Sequence, residues 1–277
     1  MTAVPPPDGV PDLAPDRPGA RPTPGRPEPE AVRGMFGAIA RRYDLLNTLA
    51  SLGEDRRWRR RAAQLTRARP GDRALDVCTG TGLLAGLLAR RVGPDGEVVG
   101  VDFTEAMLER ARGRLPAVRW ICADARALPI PTAAVDVATM AFGLRNIDDP
   151  VLALRELHRV VRPGGRVVVL EFSRIRWGGL ARLSRWYNRR VVAQIARRLA
   201  PDPTAYAYLA ASIEAFPPPL VVSGWFRAAG FAEVEVVRMS LGLVALHVAR
   251  RAGEPAGRLG GARAAPQPGS GPSGAAT

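Results

Sequence analysis

Hydrophobic positions along the chain switch between two periods, and the switches divide it into elements. Val32, Phe36, Ile39, Tyr43 and Leu46 recur at spacings of four, three, four and three, which predicts one face of a helix. Asp55 to Leu65 predicts a second helix, with Arg56, Arg57, Arg59, Arg60 and Arg61 crowded around Trp58. The pattern then changes to short apolar runs. Ala74, Leu75 and Val77 predict a strand ending at Cys78, and Leu83 to Leu88 the start of a helix. Further strands are expected at Glu97 to Val101, Val118 to Cys122, Val135 to Met140 and Arg166 to Phe172, with helices over Glu105 to Leu115 and Pro150 to Val161. Such alternation predicts an α/β fold built on parallel crossovers. Arg162-Pro163-Gly164-Gly165 is expected as the turn that stops the last of these helices and reverses the chain before its strand.

Between the first strand and its helix lies Cys78-Thr79-Gly80-Thr81-Gly82. Glycines there let backbone approach a ligand, and the new helix offers unpaired N–H groups. Gly80, Gly82 and Ala85 fit the GxGxxG/A pattern, which by itself does not choose between a nicotinamide cofactor and S-adenosylmethionine. Asp76, inside the strand, would brace the loop or receive an amino group. Asp102 ends the second strand, where an acid can accept both ribose hydroxyls, and Asp124 follows the third, with Ala125 after it. In a parallel sheet these three carboxyl groups converge on one crevice. After the fourth strand comes Ala141-Phe142-Gly143-Leu144-Arg145-Asn146, a loop placed for substrate-binding groups; the plainer alternative is a solvated Arg145 and a helix-capping Asn146.

Composition changes the picture mainly at the ends. Residues 1–30 hold ten prolines and almost no large apolar side chains, and 252–277 form a Gly/Ala/Pro tract, so both are expected as disordered tails around one domain at 31–251. The first helical pair, 31–66, is a candidate lid or a packing element; Tyr43, Asp44 and Asn47 put polar groups beside its stripe. The formal net charge is +14, and every basic residue is arginine. That favours an anionic partner, a lipid surface or a nucleic acid, but no aromatic-rich nucleic-acid motif accompanies the charge, so no nucleic acid is expected. Neither a secretory signal nor an apolar run long enough to span a bilayer is seen. Cys78 and Cys122 fit small buried hydrophobes better than a disulfide, and no His/Cys cluster has metal-ligand spacing, so no metal is expected. From Arg174 to Leu199, Leu180, Leu183, Tyr187, Val191, Ile195 and Leu199 form a stripe with eight arginines, two tryptophans and no acid, the composition of a helix lying in a membrane interface or of a plain inserted core helix.

Asp76 to Gly82, FGLRN at Phe142 to Asn146, RVVRPGGRVVVLEFS at Arg159 to Ser173, YLAASIEAFP at Tyr208 to Pro217, GFAEVEV at Gly230 to Val236 and VALH at Val244 to His247 occur in order, preceded by MFGAIARRYDLLN at Met35 to Asn47. In these motifs the chain resembles the menaquinone/ubiquinone biosynthesis C-methyltransferases, over 32 to 250. The resemblance implies a class I S-adenosylmethionine-dependent (Rossmann-like) methyltransferase fold: a seven-stranded sheet with its last strand antiparallel, Leu243 to Arg250 beside Glu233 to Met239, and an N-terminal helical lid. It implies cofactor contacts at Thr81, Asp102, Asp124 and Ala125, and an activity that methylates the ring of a polyprenyl hydroquinone, most directly demethylmenaquinol. Leu83, Ala141 and the stretch Val191 to Arg198 depart from the acid, the serine and the proline-glycine pattern usual in that family, which leaves a methyltransferase for a soluble aromatic metabolite as the alternative.

For that chemistry the cofactor set is Asp76, Gly80, Thr81, Gly82, Asp102, Asp124 and Ala125. Arginine stays protonated, so Arg145 is expected to stabilise a developing phenolate, with Asn146 and Tyr43 orienting the ring. His247 could face the pocket, whereas His158 is expected to pack. Segment 174–220 would form a helical substrate and membrane insertion. The expected setting is cytoplasmic, with peripheral contact to an anionic membrane at the inner face of the cell membrane; oligomeric state stays open, a homodimer among the options.

Overall fold

The computed structural model describes residues 43–173 and 211–253, with the single positions Arg33, Gly34, Gly37, Gly179 and Arg190. The side chains of Tyr43 and Leu46 lie outside that description, as do the rest of the Val32 to Leu46 stripe, the tail expected at 1–30, the tail expected at 252–277 beyond Gly253, and the whole apolar stripe from Leu180 to Leu199.

Two helices, α1 (Tyr43–Ala50) and α2 (Glu54–Leu65), lead into the alternating part. There β1 (Arg73–Val77), α3 (Leu83–Val92), β2 (Glu97–Asp102), α4 (Glu105–Arg114) and β3 (Arg119–Cys122) follow one another. The chain then returns to β4 (Val135–Ala141), a 3-10 turn at Leu144–Asn146, α5 (Pro150–Val160) and β5 (Val161–Phe172). It ends with α6 (Pro219–Ala228), β6 (Glu233–Met239), a second 3-10 turn at Ser240–Gly242 and β7 (Val244–Arg250). The seven strands form one sheet in the order β3-β2-β1-β4-β5-β7-β6. All neighbours from β3 to β5 are parallel, and β7 runs antiparallel to both β5 and β6. The reversed last strand is the one expected from the sequence.

Alternate residues of β1 serve two cores, because successive side chains of a strand leave opposite faces. Leu75 and Val77 pack with Leu154 and Leu157 of α5 and Val222 and Phe226 of α6. Ala74 faces the other way, toward Trp58 of α2 and Leu84 and Leu88 of α3. Covering both faces explains why the central strands read as continuous apolar runs. Leu154 and Leu157 are fully buried, and each such side chain contributes roughly 1.5–3 kcal/mol. Helix α5 starts where Asp149 Oδ1 accepts the Leu152 N–H at 2.9 Å and Pro150 supplies the first helical residue. Asp149, not Asn146, is therefore the cap.

One expected turn is part of a strand. Helix α5 stops at Val160 and β5 begins at Val161, before Pro163. The pairing jumps from Val135↔Val161 to Val137↔Arg166, so Arg162-Pro163-Gly164-Gly165 bulges out of the ladder. A Cβ on Gly165 would lie 2.5 Å from the Asp136 carbonyl oxygen. The bulge can form because that atom is missing.

Candidate active site

Strand order reverses between β1 and β4, and the crevice beyond the carboxyl ends of β1, β2, β3 and β4 is where open α/β sheets bind ligands. A cleft open to solvent occupies that place. Its walls are largely apolar, with Val77, Val101, Phe103 and Met107 among them, and Asp102, Asp124 and Asn146 supply polar groups. That mixture suits a nucleoside-sized ligand.

The glycine loop turns sharply to reach the cleft. Cys78 takes φ 53° and Gly80 φ 55°. Gly80 lines the cleft, and a Cβ there would meet nothing within 4 Å, so a ligand can lie against bare backbone. Gly82, expected beside it, does something else. With φ 80°, it caps α3, and a Cβ would sit 2.7 Å from Cη2 of Trp120. Its bareness makes room for an indole from β3. Thr81 is buried; its hydroxyl donates to Asp44 Oδ1 at 2.6 Å, and Arg114 reaches both Asp44 Oδ2 at 2.8 Å and the Thr81 carbonyl at 3.1 Å. Helix α1 is thereby tied to the loop.

Asp76 braces this turn. Its two oxygens accept from Thr79 Oγ1 and Thr139 Oγ1, each at 2.6 Å, and it is buried away from the cleft lining. Burial outweighs those hydrogen bonds and pushes its carboxyl up to about 6. Of the two alternatives raised for this residue, the geometry takes the structural one. Asp102 does line the cleft, and its carboxylate accepts the Gly80 N–H at 2.8 Å and the Thr104 N–H at 2.9 Å. Those bonds fix the carboxylate while leaving lone pairs for a ligand, and burial raises its pKa. Asp124 and Ala125 line the same cleft. The guanidinium of Arg126 grips Asp124 at 2.7 and 3.1 Å and holds its carboxyl below the usual range.

The loop after β4 divides its residues between two sides. Gly143 and Asn146 line the cleft, and Asn146 Nδ2 donates to the Phe142 carbonyl at 3.4 Å. Arg145 lies among the buried residues, not on that lining. Its Nη1 donates to Glu171 Oε1 at 2.8 Å and to the Phe142 carbonyl at 2.7 Å, and its guanidinium sits 5.2 Å from the Phe172 ring centroid. The expectation that Arg145 meets a substrate phenolate is thus revised: a buried carboxylate already balances its charge. The solvated alternative fails as well. Tyr43 begins α1, and its side chain lies outside the described residues.

Both histidines pack. His158 meets Phe231 edge-on with centroids 4.9 Å apart. His247, which could have faced the pocket, is instead 1% exposed, stacks on Phe226 at 5.6 Å and places Nε2 3.2 Å from the Pro219 carbonyl oxygen. Burial pulls its pKa down to about 4. Cys122 is exposed, contrary to expectation, and Cys78 lines the cleft. Phe103 and Met107, which no motif marks, are also walls of the cleft. Phe103 directly follows Asp102, and an apolar residue after a strand-ending acid is a signal that was there to use.

The model of the ubiE/COQ5 methyltransferase family matches residues 26–251. A demethylmenaquinone methyltransferase of Thermus thermophilus is 46% identical over 221 residues, covering 78% of this chain and 100% of that protein. A ubiquinone/menaquinone biosynthesis C-methyltransferase UbiE of Ralstonia pickettii is 41% identical over 227 residues, 79% of this chain and 92% of that protein. Among solved structures, an S-adenosylmethionine-dependent methyltransferase of Thermotoga maritima, described as a possible histamine N-methyltransferase, gives a TM-score of 0.57 at 20% identity, covering 79% of this chain and 99% of that one. At that identity the likeness shows a common fold.

Proposed function

The chain belongs to the ubiE/COQ5 methyltransferase family, and from that premise we propose that it C-methylates the ring of a polyprenyl hydroquinone, converting demethylmenaquinol to menaquinol. It is a methyltransferase, and its methyl donor is S-adenosylmethionine. The observation that carries the substrate reading is the similarity of 78% of this chain to the whole length of a protein named for demethylmenaquinone.

The cleft fits the donor: bare backbone at Gly80, a fixed carboxylate at Asp102 and apolar walls stand where a nucleoside would lie. When bound, the donor supplies an electrophilic methyl on a sulfonium. Asp102 would accept the ribose hydroxyls, and Asp124 and Ala125 would meet the base. Val101, Phe103 and Met107 would give it apolar walls on which water is held poorly. The enzyme's remaining task is to hold a nucleophilic ring carbon in line with the methyl group. Asn146 on the rim, with Tyr43 from α1, would orient the ring, and Arg145 would act through position, holding the turn that presents Asn146. The prenyl tail stays in lipid, which calls for peripheral contact with the inner face of the cell membrane. Among the described residues no helix is long and apolar enough to cross it.

The test is transfer of labelled methyl from S-adenosylmethionine to reduced demethylmenaquinone in detergent or liposomes, with soluble dihydroxynaphthoate for comparison. Label in the lipid product is the expected result. Label confined to the soluble acceptor would reject the polyprenyl substrate while leaving the methyltransferase in place.

A further inference from the structure

Two turns far apart in sequence each present a leucine to solvent in a backbone conformation that leucine rarely adopts. Leu52, between α1 and α2, has φ 53° and is 80% exposed; Leu241, in the turn between β6 and β7, has φ 58° and is 70% exposed. Neither conformation is offset by burial of the side chain. A shared polar node joins the two turns: Ser240 Oγ donates to Glu54 Oε2 at 2.7 Å and accepts from Trp58 Nε1 at 2.8 Å. Leu45 and Leu49, one helical turn apart on α1, are exposed as well and lead up to Leu52.

Charge follows this apolar group along the chain. Helix α2 buries Asp55, Trp58, Arg59, Ala62 and Ala63 and leaves Arg56, Arg57, Arg60 and Arg61 exposed. Of the three acids in α1 and α2, Asp44 is held by Thr81 and Arg114, and Asp55 is buried against Arg59. Only Glu54 opposes the four arginines, and it already pairs with Arg57 at 3.5 Å. A second protein would have to match leucines on two separate turns and carry acids at the rim. A bilayer of anionic lipid meets both demands at once, since acyl chains accept the leucines at the depth where headgroup phosphates meet the arginines.

We propose that the Leu45–Leu49–Leu52 edge of α1, the Leu241 turn and the exposed arginines of α2 form a docking surface for an anionic lipid bilayer. This deepens the polyprenyl-quinol reading and rests on it for its purpose. Through Asp44 and Thr81 the docked helix is tied to the glycine loop, so the surface holds the cleft's α1 side against the lipid that contains the substrate tail.

Flotation of the full chain with phosphatidylglycerol/phosphatidylcholine vesicles and with pure phosphatidylcholine vesicles tests this without substrate. Wild type should float with the anionic vesicles and, as salt rises, be released. Leu52→Glu/Leu241→Glu and, separately, Arg56→Glu/Arg60→Glu should each reduce the floating fraction about tenfold. All these side chains lie off the cleft lining, so S-adenosylmethionine affinity and circular dichroism should match wild type and exclude unfolding as the cause. Wild type that fails to float, floats equally on neutral vesicles, or shares its floating fraction with both variants overturns the proposal. So does a wild-type dimer in sedimentation that the leucine variant converts to monomer without any vesicle binding, because the occupant is then a second copy. Methyl transfer to a short-chain quinol in detergent is read separately. Its absence in wild type rejects the quinol reading, and flotation still decides the docking surface.

Discussion

Gly80 and Gly82 look alike in sequence and differ in what they leave room for. At Gly80 the space belongs to the cleft, whereas at Gly82 it belongs to Trp120, whose ring also fills the place of a Cβ on Gly100 at 2.2 Å. The motif locates the loop correctly, but only the pairing of β2 with β3 brings Trp120 beside Gly100 and so under Gly82. Gly82→Ala therefore carries both a left-handed backbone cost of roughly 1–2 kcal/mol and an overpacking cost of roughly 1–3 kcal/mol. Its melting temperature should fall by several degrees, and Trp120→Phe in the same chain should recover part of the loss. Gly80→Ala meets no protein atom, so calorimetric titration should show weaker S-adenosylmethionine binding with a smaller change in melting. Equal effects of the two substitutions on both readouts would remove the distinction drawn between them. Asp102 is the opposite case, a residue whose position was legible in sequence. A strand-ending acid at that distance from a glycine loop has one crevice to face, and it lies there.

The turn at Leu144–Asn146 shows why the partner of Arg145 is not legible from its own neighbourhood in the sequence. Its partner lies 26 residues away at the end of the next strand, and Glu171 gives no local sign of being anything but the polar residue in VVVLEF. Parallel pairing sets Ala141 opposite Leu170, so the chain leaving β4 passes directly beside Glu171. There Glu171 Oε1 also accepts the Phe172 N–H at 2.8 Å, and Oε2 the Arg145 N–H at 3.3 Å. One carboxylate thus anchors the turn through side chain and backbone. Glu171→Gln keeps the shape but removes one charge of a buried ion pair, and breaking such pairs costs about 3–5 kcal/mol in comparable cases. Urea unfolding should show that loss, and turnover should fall further than S-adenosylmethionine binding because the displaced group is Asn146. Glu171→Asp, which keeps the charge, should recover part of both. An unchanged unfolding midpoint in Glu171→Gln would mean the pair does not hold the turn. The Pro-Gly-Gly stretch teaches a related lesson: local signals mark where a chain deviates, and register decides whether the deviation is a turn or a bulge.

Two buried titrating groups act on the whole molecule in opposite directions. Burial favours the neutral form of Asp76 without enforcing it at neutral pH: its pKa moves from 3.8 to about 6, so its contribution to stability is complete below pH 3.8 and lost as pH rises through about 6. His247 is also held neutral, its pKa moving from 6.5 to about 4, so its contribution is present above pH 6.5 and lost as pH falls toward about 4. Each shift corresponds to about 3 kcal/mol. Between about pH 4 and 6.5 the two largely cancel, and wild type hides both. Removing one exposes the other. Relative to wild type, the cofactor-free Asp76→Asn protein should gain about 3 kcal/mol of unfolding free energy between pH 4 and pH 7, and His247→Leu should lose about as much. Surface carboxylates paired with arginine, such as Asp136 and Glu156, titrate alike in all three proteins and drop out of the differences. Urea titrations at the two pH values measure the swing, and a His247→Leu difference that does not move with pH would place that imidazole in water. Whether His247 faces the pocket was not readable from VALH, because its side is fixed by pairing with Val169 and Val236 and by the arrival of α6. The same long-range register that completes the sheet decides at which groups charging costs the molecule stability.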